Sequence, residues 1–163
     1  MAVQRLDNAS WGFESNCFVC EAKNEGGLRI PFFYDDEAGE VFADYTLDAT
    51  FSGTPAYVHG GITMAVLDEA MAWAAIAVAK AFSLTERNTT VFRRAVEVGR
   101  PYRVQAVVVD RTNDRIEAQA SVSDERGRCC VEATALFRPM NPEQAKSAIG
   151  TELGGDDAGY LRG

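Results

Sequence analysis

Tyr57-Val58-His59-Gly60-Gly61-Ile62-Thr63-Met64-Ala65-Val66-Leu67-Asp68-Glu69-Ala70-Met71-Ala72-Trp73-Ala74-Ala75-Ile76-Ala77-Val78-Ala79-Lys80-Ala81-Phe82 decides how the chain folds. From Ile62 onward the stretch is rich in Ala, Met and Leu and free of Gly and Pro, which predicts a helix. Its apolar residues run nearly all the way round instead of forming one stripe, the pattern of a helix buried on most sides. Asp68 and Glu69 interrupt it, and the next charge is Lys80. Burying an unpartnered carboxylate costs roughly several kcal/mol. Consecutive helix positions point ~100° apart. Either both acids reach water past an imperfect cover, or one of them lines a polar site.

The entry to the helix is His59-Gly60-Gly61. The first backbone N–H groups of a helix have no intrahelical acceptor, and the macrodipole adds roughly half a positive charge there. Two glycines let another group approach the backbone closely. They are also ordinary turn residues, but joined to an intrahelical acid they point to donors that stabilise a carbonyl oxygen gaining negative charge.

On either side of this stretch the chain reads as strands. Leu28, Ile30, Phe32 and Tyr34 alternate, as do Val41, Ala43, Tyr45 and Leu47, and the turn residues Asp35 to Gly39 between them predict a hairpin. Thr50 to Val58, with Gly53 and Pro55, is expected to be a loop, and Ser83 to Arg87 a polar connection. Four further strands are expected: Thr90 to Val98, then runs around Tyr102–Val108, Ile116–Val122 and Cys129–Phe137, with Cys129 on the inward-facing set. Short turns between them make an antiparallel meander. A sheet that must cover a helix apolar on most sides has to curl around it, so the fold class is α+β, with about six strands on one helix. The expected division is a packed leader over 1–26 with Trp11, Phe13 and Phe18, one domain over 27–139, and a polar tail over 140–163 that begins with a short helix.

With 163 residues, 47% of them hydrophobic, one domain with a real core is expected. A net charge of −8 argues against nucleic acid and anionic membranes as partners. The long helix has the length of a membrane span, but its two central acids argue against that. With no n-region and h-region of a secretory signal, a cytoplasmic location is expected. Of the four cysteines, Cys17 and Cys20 form a C-x-x-C pair, whereas the adjacent Cys129 and Cys130 lack the spacing of a structural zinc site. No metal is therefore expected, and the thiols read as ordinary buried ones.

His59-Gly60-Gly61, followed by Leu67-Asp68-Glu69-Ala70-Met71-Ala72-Trp73-Ala74, resembles the signature of hotdog-fold thioesterases of the phenylacetic-acid-degradation type. Cys17-Phe18-Val19-Cys20 and Gly27-Leu28 are similar to the start of many such sequences, and the likeness runs from about Cys17 to Pro139. The resemblance implies a hotdog fold, acyl-CoA as substrate, no cofactor, and a homodimer, sometimes paired into a dimer of dimers. It assigns the Gly60 N–H to the carbonyl. Asp68, where relatives carry Asp or Glu, becomes general base or nucleophile. His59, the only histidine, either orients the loop or contacts substrate. Gly61, Phe92, Arg93 and Arg94 are the expected substrate contacts, the arginines belonging to a local basic group with Arg100 and Arg103. One position departs from the pattern: several relatives have Asn or Gln six residues before the His, where this chain has Gly53. Three functions compete: thioester hydrolysis, a hotdog hydratase or dehydratase pairing His59 with Asp68, and an acyl-CoA-binding module without turnover.

Overall fold

The computed structural model describes residues 2–11 and 14–150. The expectations for Phe13, the Trp11 side chain and the tail beyond Gly150 fall outside these residues. In chain order the elements are β1 (Val3–Leu6), β2 (Phe32–Asp35), β3 (Glu40–Thr46), β4 (Ser52–Thr54), β5 (Tyr57–Val58), α1 (Gly60–Ala77), β6 (Ser83–Phe92), β7 (Pro101–Arg111), β8 (Ile116–Ser123), β9 (Cys129–Pro139) and α2 (Pro142–Ile149). Seven strands form one antiparallel sheet in the order β1-β2-β3-β7-β8-β9-β6, and β4 and β5 form a separate small ribbon.

The sheet curls around α1, which packs on β2, β3 and β6 to β9. Val66, Leu67, Ala70, Met71, Trp73 and Ala74 of the helix are buried against inward-facing Val41, Val104, Ala118, Val131 and Phe137. Each large apolar side chain so buried contributes about 1.5–3 kcal/mol. By length and composition α1 is apolar enough to cross a membrane, but here it is the enclosed core helix. Trp73 and Met71 are core residues, while Met64 is 38% exposed.

Several elements differ from the sequence reading. The helix ends at Ala77 instead of running to Phe82, because Lys80 adopts a left-handed conformation (φ 58). Lys80 N–H donates to Ile76 O, the bond of an αL closure made without the usual glycine, and Ala81 N–H donates to Ala75 O. The strand expected at Thr90–Val98 is β6, beginning at Ser83 and ending at Phe92, so the supposed polar connection is itself strand. It lies at the edge of the sheet and most of its side chains are exposed, which removes the alternation that marks a half-buried strand. In β9 a register shift opposite Val122 and Ser123 turns Cys130 inward, and Cys129 is only partly buried. The leader supplies β1, the strand beyond the expected six, and only Leu6 in it is buried. Phe18, expected to pack, is 43% exposed. Within Thr50–Val58, expected as loop, a 3₁₀ turn and the β4–β5 ribbon form.

Leu28 and Ile30 are buried as their alternation suggested but lie before β2. Their N–H groups bond to Phe18 O (2.8 Å) and Val19 O (2.9 Å), so this segment holds the Cys17–Cys20 turn against the domain. The backbones approach so closely that a Cβ on Gly27 would stand 2.5 Å from Phe18 O. Only glycine fits there.

Candidate active site

The β4–β5 ribbon delivers the chain to the helix. Val58 N–H bonds to Val96 O (2.8 Å) and His59 N–H to Phe51 O (2.9 Å), fixing the angle at which α1 begins. His59 is the N-cap: its Nδ1 accepts from Gly61 N–H at 2.9 Å, and its carbonyl accepts from Ile62 and Thr63. An acceptor at Nδ1 puts the proton of the neutral ring on Nε2. The N–H of Gly61, an expected substrate contact, is thereby occupied. Gly60 N–H has no acceptor among the described residues, is exposed, and stands at the positive end of the helix. The Phe92 ring comes within 3.6 Å of where a Gly60 Cβ would lie, so the end of β6 walls this donor on one side. Gly53 packs on His59, with a Cβ position 3.3 Å from His59 Cα; a side chain here would press on the cap.

Two turns into α1, Asp68 is partly buried and its Oδ1 accepts from Thr85 Oγ1 of β6 at 2.9 Å. Sequence reasoning missed Thr85, having assigned its segment to a connection. The signal was a β-branched residue in a run of Thr and Val, but no apolar alternation pointed to its contact with the helix. Asp68 and Gly60 are eight positions apart, ~12 Å along the axis. Within one chain the acid and the free donor do not meet.

The arginines separate. Arg93 forms an ion pair with Glu132, Arg103 pairs with Asp44 at 2.7 Å and covers the Phe42 ring, and Arg100 pairs with Glu97 at 3.2 Å. Both Arg93 and Arg94 follow the end of β6 and donate their backbone N–H groups to Cys130 O. Arg94 lines a cleft of about 410 Å³ with Tyr57, Arg100, Arg126 and Arg128, close to the ribbon that leads to Gly60. Arg128 is held by Asp124 at 2.8 Å. Of the arginines lining this cleft, Arg94 and Arg126 have no acidic partner at ion-pair distance among the described residues, which leaves these two available to an anionic ligand there. Arg126, in the turn between β8 and β9, was not singled out from sequence.

Glu69 points elsewhere. It is partly buried, and desolvation first, then the neighbouring Cys17, pushes its carboxyl up to about 8. Its Oε1 lies 3.2 Å from Cys17 Sγ, and Cys20 completes a cluster of three potential metal-ligating atoms within 4.8 Å of one another. Hydrogen bonding from the Cys20 thiol, then from backbone N–H groups of Cys20 and Val19, pulls the Cys17 thiol down to about 5. Cys129 and Cys130 lie on β9, outside this cluster.

A central helix wrapped by an antiparallel sheet is the hotdog arrangement. Residues 56–131 match the family model of the thioesterase superfamily. Over that stretch the chain is similar to the thioesterase superfamily, and it has the hotdog fold. A phenylacetic acid degradation-related protein from Ralstonia eutropha JMP134 is similar in structure, with TM-score 0.61 and 25% identity, covering 68% of this chain and 85% of that one. A Streptococcus mutans UA159 protein whose structure holds acetyl-CoA shares the fold, with TM-score 0.60 and 13% identity, covering 63% of this chain and 82% of the other. Saccharomyces cerevisiae FMP10, described as an uncharacterized mitochondrial membrane protein, is 29% identical over 161 residues and 88% of this chain. This chain spans 65% of that relative's length.

Proposed function

We propose that the protein hydrolyses an acyl-CoA thioester to the free acid and CoA. The observation that carries this reading is the unclaimed Gly60 N–H at the positive end of α1. The thioester oxygen accepts from Gly60 N–H and gains negative charge as the carbonyl is attacked. Asp68, oriented by Thr85, either takes a proton from the attacking water or attacks as the carboxylate itself. Collapse of the adduct expels the CoA thiolate, which is then protonated; where Asp68 is the nucleophile, water then hydrolyses the acyl–Asp68 anhydride to the free acid and restores the carboxylate. Arg94 and Arg126 meet the phosphates of the carrier, and the acetyl-CoA held by a protein of the same fold supports that class of ligand.

The two halves of the site come together in a two-fold dimer, with Gly60 of one protomer beside Asp68 of the partner subunit. In support, β6 is an open sheet edge that leaves Leu84, Val91 and Phe92 exposed, the kind of edge that pairs with a second copy.

The test is a panel of acyl-CoAs in which released thiol and enoyl absorbance are followed together. Thiol release by wild type is expected, with a loss on the order of 100-fold in Asp68→Asn and a far smaller loss in Glu69→Gln. A change in the enoyl chromophore without thiol release makes the protein a hydratase. Tight binding with neither signal makes it a binding module.

A further inference from the structure

Glu69, Cys17 and Cys20 have no part in the chemistry proposed above, yet the fold brings them together from the helix and the leader. We propose that Cys17 Sγ, Cys20 Sγ and Glu69 Oε1 form a zinc site with a fourth, solvent-derived ligand. The assignment is independent of the proposed hydrolysis.

Geometry argues for it first. The three atoms lie within 4.8 Å of one another, and Glu69 Oε1 is 3.2 Å from Cys17 Sγ. Zinc binds thiolate at about 2.3 Å and carboxylate oxygen at about 2.0–2.2 Å, so ligand atoms at a tetrahedral angle stand roughly 3.5–3.8 Å apart. Closing the cluster on a metal changes these separations by about 1 Å or less. Two soft thiolates with one oxygen suit zinc better than magnesium or calcium.

The surroundings are those of metal-bound sulfur. Cys20 N–H points at Cys17 Sγ at 3.4 Å, and Asn8 Nδ2 points at Cys20 Sγ at 3.9 Å. Such outer donors orient a thiolate and spread its charge. The turn that carries both cysteines is rigid: Glu21 N–H closes on Cys17 O, Leu28 and Ile30 hold Phe18 and Val19, and Gly27 packs directly on the Phe18 carbonyl.

Charge argues the same way. No Lys, Arg or His pairs with Glu69 among the described residues, so no side-chain cation offsets the charge its ionised form carries in this partly buried position. Zinc binding displaces the protons the cluster holds, and the ion offsets two of the three negative charges that full deprotonation places on Cys17, Cys20 and Glu69, leaving a net charge of −1. A cleft of about 290 Å³ lined by Arg5, Asn8, Cys20 and Glu21 opens beside it, giving the ion an entry path and the fourth ligand a place. The bound metal ties the leader to α1 one residue from Asp68.

Reduced full-length protein, stripped of metal by a chelator, is titrated with Co(II) and then Zn(II). One Co(II) per chain is expected, with thiolate-to-cobalt charge-transfer absorption that disappears when one equivalent of Zn(II) displaces it. Cys17→Ser and Cys20→Ser each weaken that absorption, and Glu69→Gln lowers affinity at least tenfold. Wild type alone gives a second readout: zinc protects Cys17 and Cys20 from alkylation and leaves the labelling of Cys129 and Cys130 unchanged. The assignment is overturned if wild type takes up neither metal at micromolar concentration. Full metal uptake by the Cys17→Ser/Cys20→Ser double variant, or protection of Cys129 and Cys130 instead, overturns it equally.

Discussion

Two inactive variants should restore each other if the site is shared between subunits. Gly60→Pro removes the one N–H in question while respecting the helix: Gly60 is the first helical residue, a position where proline is favoured. His59 before it has φ −58 and ψ 133, a conformation compatible with a following proline. The nearest atom to a new Cβ, on the Phe92 ring, is at an ordinary 3.6 Å. Asp68→Asn keeps the shape and loses the charge. The magnitude follows from α1 itself. Gly60 and Asp68 are ~12 Å apart along the axis, whereas a reacting group must sit ~3 Å from both the oxyanion donor and the attacking species. An Asp side chain leans back toward the helix N-terminus but does not span that gap, even through one water, and Thr85 holds its carboxylate toward β6. In a shared site, each mixed dimer has one intact site and one damaged twice. After random exchange about half the dimers are mixed, so activity returns to about a quarter of wild type. The assay follows thiol release from an acyl-CoA before and after mixing, with exchange verified by native mass spectrometry of differently tagged chains. If both variants fold and exchange but the mixture stays at the level of either alone, the shared site is refuted.

Thr85→Val keeps the β-branched shape but removes the hydroxyl that holds Asp68, so kcat should fall ~10- to 100-fold with KM nearly unchanged, and Thr85→Ser should recover most of it; an unchanged kcat in Thr85→Val removes Thr85 from the site. Arg94→Ala and Arg126→Ala should each raise KM for the CoA ester more than they lower kcat, and rising salt should weaken wild-type binding through the same contacts. Arg93→Ala, whose guanidinium is already paired with Glu132, should change KM little; a larger effect from Arg93 than from Arg94 places the carrier on the other side of β6.

How far the sequence carried depends on the range of the interaction that each feature needs. The burial of α1 was legible because a helix apolar on most faces states its own environment, and the inner faces of β7 and β8 because alternation reports a buried side directly. The His59 cap and the free Gly60 donor were legible in outline, being local to one turn. β6 was misjudged because an edge strand exposed on most of its length has no solvent contrast to print into its sequence. The helix end was misplaced because Lys80, not glycine, takes the left-handed position. The contacts that orient both acids were beyond local reading altogether. Asp68 meets Thr85 across 17 positions and Glu69 meets Cys17 across 52, separations closed only by the curl of the sheet. Two adjacent acids on a buried helix announced that something polar lay nearby, but which acid faced which partner depended on the ~100° between them. That angle sends Asp68 to the β6 side and Glu69 to the leader. A neighbouring pair in sequence thus serves two separate sites, and neutralising each acid in turn should disturb one while leaving the other's readout intact.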